Sequence, residues 1–160
     1  MTELVLFNKE HLDNTFEWMQ NVELKKMFLL DKEISKSSHL DWFESIQDDC
    51  SQEIFAIIYN KHHVGNIGLK NIDAKNKKAE IWVYLGDLDY RGKGIAKKSL
   101  LQLENNKVGE LNKIYAHIAD YNFSSFKTFA SVGYTIEAFF QKDMLFKNRF
   151  INIYRLHKLI

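Results

Sequence analysis

The stretch from Leu85 to Leu103, LGDLDYRGKGIAKKSLLQL, constrains the fold more than any other part of the chain. It predicts the end of a strand, a short loop containing Gly92 and Gly94, and an amphipathic helix that begins at about Gly94. The glycines carry no Cβ, so the backbone can turn tightly or approach a ligand closely there. The first N–H groups of the helix have no partner within it. Together with the helix dipole and the charges of Arg91 and Lys93, these donors form an anion site suited to phosphate.

Two common phosphate-binding motifs do not match this loop. The P-loop requires G-x-x-x-x-G-K-[ST] and the dinucleotide fingerprint requires G-x-G-x-x-G, whereas Gly94 is followed here by Ile95, Ala96 and Lys97. The residues instead fit [Q/R]-x-x-G-x-[G/A], as Arg91-x-x-Gly94-x-Ala96. Taken alone, this short pattern is equally compatible with a glycine turn before a surface helix. The surrounding elements must therefore decide between a phosphate-binding loop and a simple turn.

Hydrophobic periodicity predicts an ordered series of strands and helices around this loop. The predicted strands cover residues 4–7, 54–59, 64–71, 79–85, 113–119, 134–140 and 150–156. The predicted helices cover residues 11–21, 23–30, 38–46, 94–108 and 122–132, the third of them capped by Ser37 and Ser38. Residues 142–149 are predicted to be a charged connector. The three strands before the loop form an antiparallel meander, and the whole order predicts a mixed α/β (α+β) fold in one domain, 1–160.

The composition excludes several classes of function. The 22 basic and 21 acidic residues are well mixed and give a net charge of +1, so neither a nucleic-acid surface nor a membrane-binding face is expected. Cys50 is the single cysteine, which excludes an internal disulfide and a cysteine-based metal site. No His, Asp or Glu residues have metal-ligand spacing, so no metal is expected. Without an apolar membrane span or a signal peptide, a cytoplasmic enzyme is the expectation.

The loop and the order of elements resemble the GNAT N-acetyltransferase superfamily over essentially the whole chain. The resemblance implies acetyl-CoA as cosubstrate. It also implies a central, mostly antiparallel sheet of about seven strands, flanked by helices and splayed open at the acetyl-CoA site. Family members carry an asparagine at the start of the helix after the next strand, and a glycine–aromatic pair at its end. Asn122, Gly133 and Tyr134 match that spacing.

The resemblance also assigns parts of the cosubstrate to residues of this chain. It implies that the pantetheine arm pairs with strand backbone, much as an added β-strand does, and that the pyrophosphate meets the loop amides. The implied cofactor-binding residues are Trp82, Val83, Tyr84, Leu85, Arg91, Gly92, Lys93, Gly94, Ile95, Ala96, Asn122, Ser125 and Phe129.

Phe129 departs from the family pattern. Many members place a tyrosine at this position to protonate the leaving CoA thiolate, and phenylalanine cannot donate a proton. A thiolate whose conjugate thiol has a pKa of about 8.5 is an adequate leaving group without protonation by an acid. Tyr121, Tyr134, Ser125 or a water molecule are alternative donors.

A base is required by the implied chemistry, because an amine must lose a proton before or during its attack on the thioester. Glu80 is the first candidate, since it lies eleven residues before Arg91, a spacing at which several family members carry a catalytic glutamate. Partial burial beside Trp82 is expected to raise the pKa of Glu80 into the useful range. A structural carboxylate on the sheet is the alternative. His117 is the second candidate, against an interpretation as a packing histidine.

The first helices are similar to those of one branch of the family. The branch pattern comprises a helix with Trp18, the E-x-x-x-x-F segment 23–28, and S-H-L-x-W-F with His39, Trp42 and Phe43. That branch acetylates amino groups of nucleotide-linked deoxy sugars for bacterial surface glycans and flagellin. The resemblance implies substrate contacts by Trp18, His39, Trp42 and Phe43, with core packing as the alternative. Ribosomal-protein N-terminal acetyltransferases share several of these features.

The sequence therefore predicts an acetyl-CoA-dependent N-acetyltransferase that acts by direct transfer in a ternary complex. The preferred acceptor is a small-molecule amine, a nucleotide-linked amino deoxy sugar. A protein N-terminal acetyltransferase is the first alternative. A CoA-binding protein that has lost catalysis is the second alternative, and it is suggested by Phe129, which replaces the family's tyrosine. Edge strands at the C-terminal hairpin are compatible with a homodimer.

Overall fold

One seven-stranded sheet runs through the computed structural model, which describes all 160 residues. Its strands are β1 (Thr2–Leu6), β2 (Glu53–Tyr59), β3 (His62–Asp73), β4 (Lys78–Leu85), β5 (Lys113–Ala119), β6 (Thr135–Phe146) and β7 (Arg149–Leu159). The α-helices are α1 (Leu12–Trp18), α2 (Val22–Met27), α3 (Lys36–Ile46), α4 (Ile95–Lys107) and α5 (Phe123–Ala130). None of these helices is both long enough and apolar enough to cross a membrane. The predicted mixed fold is confirmed.

The strand order is β1-β2-β3-β4-β5-β7-β6, and every neighbouring pair is antiparallel except β4 and β5. The predicted meander of β2, β3 and β4 is confirmed. Parallel pairing between β4 and β5 covers only residues 78–80 against 113–115. Beyond this short contact the two strands diverge, so the sheet splays open at its centre.

The two faces of the sheet carry different helices, and β4 contributes to both. Ala79 and Ile81 belong to the largest core cluster, with Ile95 and Leu100 of α4 and Phe129 of α5. On the opposite face, Trp82 packs against a cluster containing Phe7 and Phe43, and Tyr84 packs with Leu24 of α2. The alternation predicted for this strand is confirmed, because successive strand side chains point to opposite faces.

Side-chain capping sets where the helices begin. Asn122 caps α5, because its side chain accepts a hydrogen bond from the N–H of Ser125, at 3.2 Å. The prediction that Ser37 and Ser38 cap α3 was wrong by two residues. Ser35 is the cap: its hydroxyl accepts from the N–H of Ser38, and the Ser38 hydroxyl accepts from the N–H of Ser35. This reciprocal pair is a capping box.

The prediction of a connector over residues 142–149 was also wrong. β6 continues to Phe146, and Lys147 and Asn148 alone form the turn, both with positive φ, at 45° and 61°. Two residues in this conformation match the twist of a tight hairpin, but Lys-Asn lacks the glycine that usually signals such a turn. The register shifts between Phe140 and Met144, where Lys142 has a φ of 51°. This bulge interrupts the alternation that would have revealed the strand.

Candidate active site

A cavity of about 760 Å³ lies where β4 and β5 diverge. Residues 81–85 of β4 pair only with β3, and residues 116–119 of β5 pair only with β7. The strand edges that face the cavity therefore carry backbone N–H and C=O groups without a strand partner. Such an edge accepts an extended, amide-bearing chain in the way it would accept another strand.

The glycine loop closes one end of the cavity. Gly92 and Gly94 have φ of 75° and 73°, a conformation that residues with a Cβ rarely adopt. A Cβ built on either glycine would meet nothing within 4 Å, so there is open space above the loop. The N–H groups of residues 92–94 donate to no backbone carbonyl. With the free N–H groups of the first turn of α4, they fit a phosphate group.

Arg91 and Lys93 occupy different positions beside this loop. Arg91 lines the cavity, and its guanidinium lies 3.7 Å from the carboxylate of Glu23 at the start of α2. Lys93 does not line the cavity, and its ammonium lies 5.0 Å from the centre of the Tyr90 ring. Every residue predicted to bind the cofactor, except Lys93, lines the cavity.

The α5 wall brings Asn122, Ser125 and Phe129 to the cavity. The Phe129 ring is buried and meets the Tyr134 ring edge-on, with centroids 5.0 Å apart. Of the side chains named as alternative proton donors, only Ser125 lines the cavity. The hydroxyl of Tyr121 donates to the carbonyl of Lys26 at 2.7 Å. Tyr134 is buried outside the cavity, and burial, with the nearby charge of Glu104, raises the pKa of its hydroxyl.

Glu80 and His117 are brought together at the closed end of the gap. Oε1 of Glu80 lies 3.2 Å from Nδ1 of His117 and 3.2 Å from Nζ of Lys70. Oε2 accepts a hydrogen bond from the side-chain amide of Asn71 at 3.0 Å. Glu80 is buried, whereas the side chain of His117 is 35% exposed. Both line the cavity, as predicted for the two candidate bases.

The expectation that burial raises the pKa of Glu80 was wrong. Burial alone would raise this pKa, but the hydrogen bond with His117 and the charge of Lys70 outweigh it and hold the pKa below the usual glutamate value. Sequence reasoning considered Trp82 and missed Lys70 and Asn71. The available signal was hairpin register, because Lys70 is the cross-strand partner of Glu80 in the β3–β4 pair.

The four side chains predicted to contact substrate, Trp18, His39, Trp42 and Phe43, do not line the cavity. His39 is buried, its Nε2 lies 3.2 Å from the carbonyl oxygen of Leu12, and its ring stacks on Trp42. Burial lowers the pKa of His39. These residues hold α1 and α3 together and onto the sheet, because helical spacing placed them on the packed face. Their prediction as the wall of the site is not supported.

Other residues form the wall of the cavity near Trp82. Met27, Phe28 and Leu29, at the end of α2, line it together with Trp82. The Phe28 ring meets the Trp82 ring edge-on, with centroids 6.4 Å apart. On the other side of the gap, Asp143 and Met144 of β6 line the same cavity. The last two lie within the segment predicted to be a connector, which is why the sequence did not place them at the site.

A family model covers most of the chain. Residues 2–135 match the model of the acetyltransferase (GNAT) domain. The chain belongs to the GNAT family. As a GNAT enzyme it is an acetyl-CoA-dependent N-acetyltransferase.

Solved structures of GNAT enzymes share the fold. The spermidine N-acetyltransferase of Vibrio cholerae, in complex with CoA and spermine, is 17% identical with a TM-score of 0.91, over 99% of this chain and 95% of that one. A Salmonella typhimurium acetyltransferase that modifies the N-terminal serine of ribosomal protein L7/L12 is 17% identical, with a TM-score of 0.87 over 99% and 95%. The microcin C7 self-immunity acetyltransferase, in complex with acetyl-CoA and AMP, is 20% identical, with a TM-score of 0.83 over 99% and 92%. No curated protein matches by sequence.

Proposed function

We propose that this GNAT enzyme acetylates the primary amine of a nucleotide-linked amino deoxy sugar at the Glu80–His117 pair. The observation that carries the proposal is the position of this pair in the cavity, at the closed end of the gap between β4 and β5. A group that takes a proton from an amine must lie within hydrogen-bond reach of it, directly or through one water.

We also take residues 1–160 as a single domain, because one sheet includes strands from Thr2 to Leu159.

The protein's part in binding acetyl-CoA follows from the free backbone groups. The edge of β4 at residues 81–85 would hold the pantetheine amides, and the loop amides of residues 91–96 with the Arg91 guanidinium would hold the pyrophosphate. Bound acetyl-CoA supplies the acetyl group as a thioester, whose C–S bond breaks as the amine nitrogen forms the new C–N bond. A backbone N–H on the free edge of β4 would polarise the carbonyl oxygen.

Direct transfer is supported by the position of the only cysteine. Transfer through a covalent enzyme intermediate needs a nucleophile such as a thiolate beside the acyl group. Cys50 is exposed and lies outside this cavity, in the loop before β2. The amine would therefore react while both substrates are bound, and the Glu80–His117 pair would take up its proton.

The charges in the cavity argue against a polyamine acceptor. Four cationic side chains line it, Lys70, Arg91, Lys97 and Lys127, against the carboxylates of Glu80 and Asp143. Glu80 already bonds Lys70, Asn71 and His117. Lys70 is paired with Glu80, and Arg91 is assigned to the CoA pyrophosphate, so the uncommitted charges are those of Lys97, Lys127 and Asp143. This balance suits an acceptor that carries phosphate and a single amine better than it suits a polycation.

The apolar wall suits a deoxy sugar. Met27, Phe28 and Leu29 face the same cavity as Trp82, with Met144 on the other side of the gap. A deoxy sugar presents a methyl group and an apolar ring face, and both bind favourably to aromatic and methionine side chains. This wall replaces the set containing Trp18 and Trp42 as the proposed sugar contact.

A thiol-release assay tests the proposal. The protein and acetyl-CoA are mixed with nucleotide-linked amino sugars, peptides with free N-termini, polyamines or aminoglycosides, and free CoA is measured. We expect release with the amino sugars, and none with a matched sugar nucleotide that has a hydroxyl in place of the amine. Release with peptides alone would contradict the acceptor and favour a protein N-terminal acetyltransferase. CoA binding without release from any acceptor would favour a protein that has lost catalysis.

A further inference from the structure

Glu80 has little capacity left to act as a base itself. Its Oε1 has two partners, Lys70 Nζ and His117 Nδ1, each at 3.2 Å, and its Oε2 accepts from Asn71 at 3.0 Å. Only 7% of the residue is exposed, so an acceptor amine or a water has little access to the carboxylate. Each of these donors also favours the ionised form, which opposes the uptake of a proton.

His117 has the access that Glu80 lacks. Its side chain is 35% exposed and lines the cavity. The rings of Tyr115 and Phe140 contact it edge-on, with centroids 5.6 and 6.1 Å away, and thereby restrict its orientation. Nδ1 lies 3.2 Å from Oε1 of Glu80, and this is the one polar contact of the ring within the protein. A carboxylate at Nδ1 selects the tautomer with hydrogen on Nδ1, which leaves the lone pair on Nε2.

We propose that Nε2 of His117 accepts the proton of the attacking amine, and that Glu80, anchored by Lys70 and Asn71, positions the imidazole. This assignment rests on the proposed function. As the amine nitrogen forms its bond to the acetyl carbon, an N–H bond breaks, its electron pair stays on nitrogen, and the proton passes to Nε2. Glu80 remains ionised throughout and stabilises the imidazolium. His117 then releases the proton to water, which restores the starting state.

Glu80 is anchored by Lys70 and Asn71, so these two residues help to position His117. Lys70 is the cross-strand partner of Glu80, and Asn71 follows it with a φ of 52°. Asparagine tolerates this left-handed conformation better than most residues, and here its amide reaches Oε2 of Glu80. A carboxylate held from both sides keeps one oxygen directed at Nδ1, which is the role of a positioning residue.

Steady-state kinetics separate the two roles. We expect His117→Gln to lower kcat by about 10²–10⁴-fold, the usual contribution of a general base. Glu80→Gln should lower kcat by a smaller factor, because the imidazole that accepts the proton is still present. The KM for acetyl-CoA should stay the same in both. His62→Gln is the matched control, because His62 is exposed and lies outside the cavity, and it should keep the wild-type kcat. A larger loss in Glu80→Gln than in His117→Gln would overturn the assignment.

A second measurement is independent of turnover. In protein with ¹⁵N-labelled histidine, the His117 signals are identified by their absence from His117→Gln. We expect the Nδ1–H tautomer in the wild type and a mixture of tautomers in Glu80→Gln. The Nε2–H tautomer in the wild type would overturn this inference alone, whatever the turnover. Failure of every acceptor to release CoA would overturn the proposed function, and the proton-accepting role of His117 with it.

Discussion

Oε1 of Glu80 and Nδ1 of His117 lie 3.2 Å apart, across the point where β4 and β5 stop pairing. The last parallel register pair joins Glu80 to Tyr115, and His117 lies two residues farther along β5. The divergence of the strands thus creates the cavity, and the last contact between them places an acid–base pair at its closed end. The fold and the chemistry are linked through this one relationship.

Alanine at Gly94 should weaken CoA binding, whereas alanine at Gly109 should not. Both glycines have positive φ, 73° and 88°, so each change imposes a similar backbone strain of about 1–2 kcal/mol. Only Gly94 caps the helix beside the cavity, and relief of the strain there would move the loop amides. We expect about a tenfold higher Kd for CoA in Gly94→Ala by isothermal titration. Equal Kd values for the two variants would contradict the assignment of the loop.

The two cations of the loop should contribute unequally to CoA affinity. Arg91 lines the cavity, whereas Lys93 lies over Tyr90 outside it. A hydrogen bond to a charged group contributes about 1.5–3 kcal/mol, so Arg91→Met should raise the Kd for CoA about 10–100-fold. Lys93→Met should change it less than about threefold, because an exposed charge without a direct contact is screened by salt. Similar losses in the two variants would show that net charge, rather than geometry, binds the pyrophosphate.

A tyrosine at position 129 should not accelerate the reaction. Phe129 lines the cavity where many GNAT enzymes place their general acid. An alkyl thiolate whose acid has a pKa of about 8.5 is an adequate leaving group without protonation. We expect kcat of Phe129→Tyr within about threefold of the wild type. Phe126→Tyr, on the same helix but outside the cavity, is the control for an added hydroxyl. A tenfold rise confined to Phe129→Tyr would mean that loss of the acid limits this enzyme.

The folded state should lose stability as the pH falls below about 6.5. Burial lowers the pKa values of His11, His39 and His63 from their ordinary 6.5, so the unfolded chain binds protons that the folded protein does not. Stability is then complete above the unfolded-state pKa and declines as the pH approaches the lower folded-state values. We expect the melting temperature to fall between pH 7 and pH 5.

His63 should contribute clearly to this loss, because burial and the neighbouring His11 lower its pKa by more than the hydrogen bond with Asn66 raises it. The side-chain nitrogen of Asn66 donates to Thr15 and Tyr84, which leaves its oxygen, 2.8 Å from Nε2 of His63, to accept. A neutral imidazole satisfies that contact, and the adjacent His11 ring, at 4.8 Å, disfavours a second positive charge. His63→Gln should reduce the pH dependence of the melting temperature, and the exposed His62→Gln should not. The same slope in both variants would refute this explanation.

Local chemistry explains what could be predicted from the sequence. The glycine loop, the alternation of β4 and the Asn122 cap each depend on residues close together in the chain, and all three were found where expected. The family resemblance named Glu80 and His117 as two separate candidate bases, and the 3.2 Å contact between them was not predicted.

The missed features depend on contacts that no local pattern encodes. Lys70 reaches Glu80 only because of hairpin register, and a bulge near Lys142 brings Asp143 to the cavity. The sequence left substrate contact and core packing open for Trp42, and only the structure shows that His39 is buried against α1 and that Trp42 packs in the core. The pKa of Glu80 was misjudged for the same reason, since its direction depends on these unseen partners.

Hydrogen exchange of the protein with and without CoA would show whether the gap between β4 and β5 and the glycine loop bind the cosubstrate. If the diverging strands hold the pantetheine arm and the loop holds the pyrophosphate, CoA will slow exchange of the amides at residues 81–85 and 91–97. The amides of β1, at the far edge of the sheet, will be unchanged. CoA binding that leaves both cavity segments unprotected, or no CoA binding at all, would contradict the account.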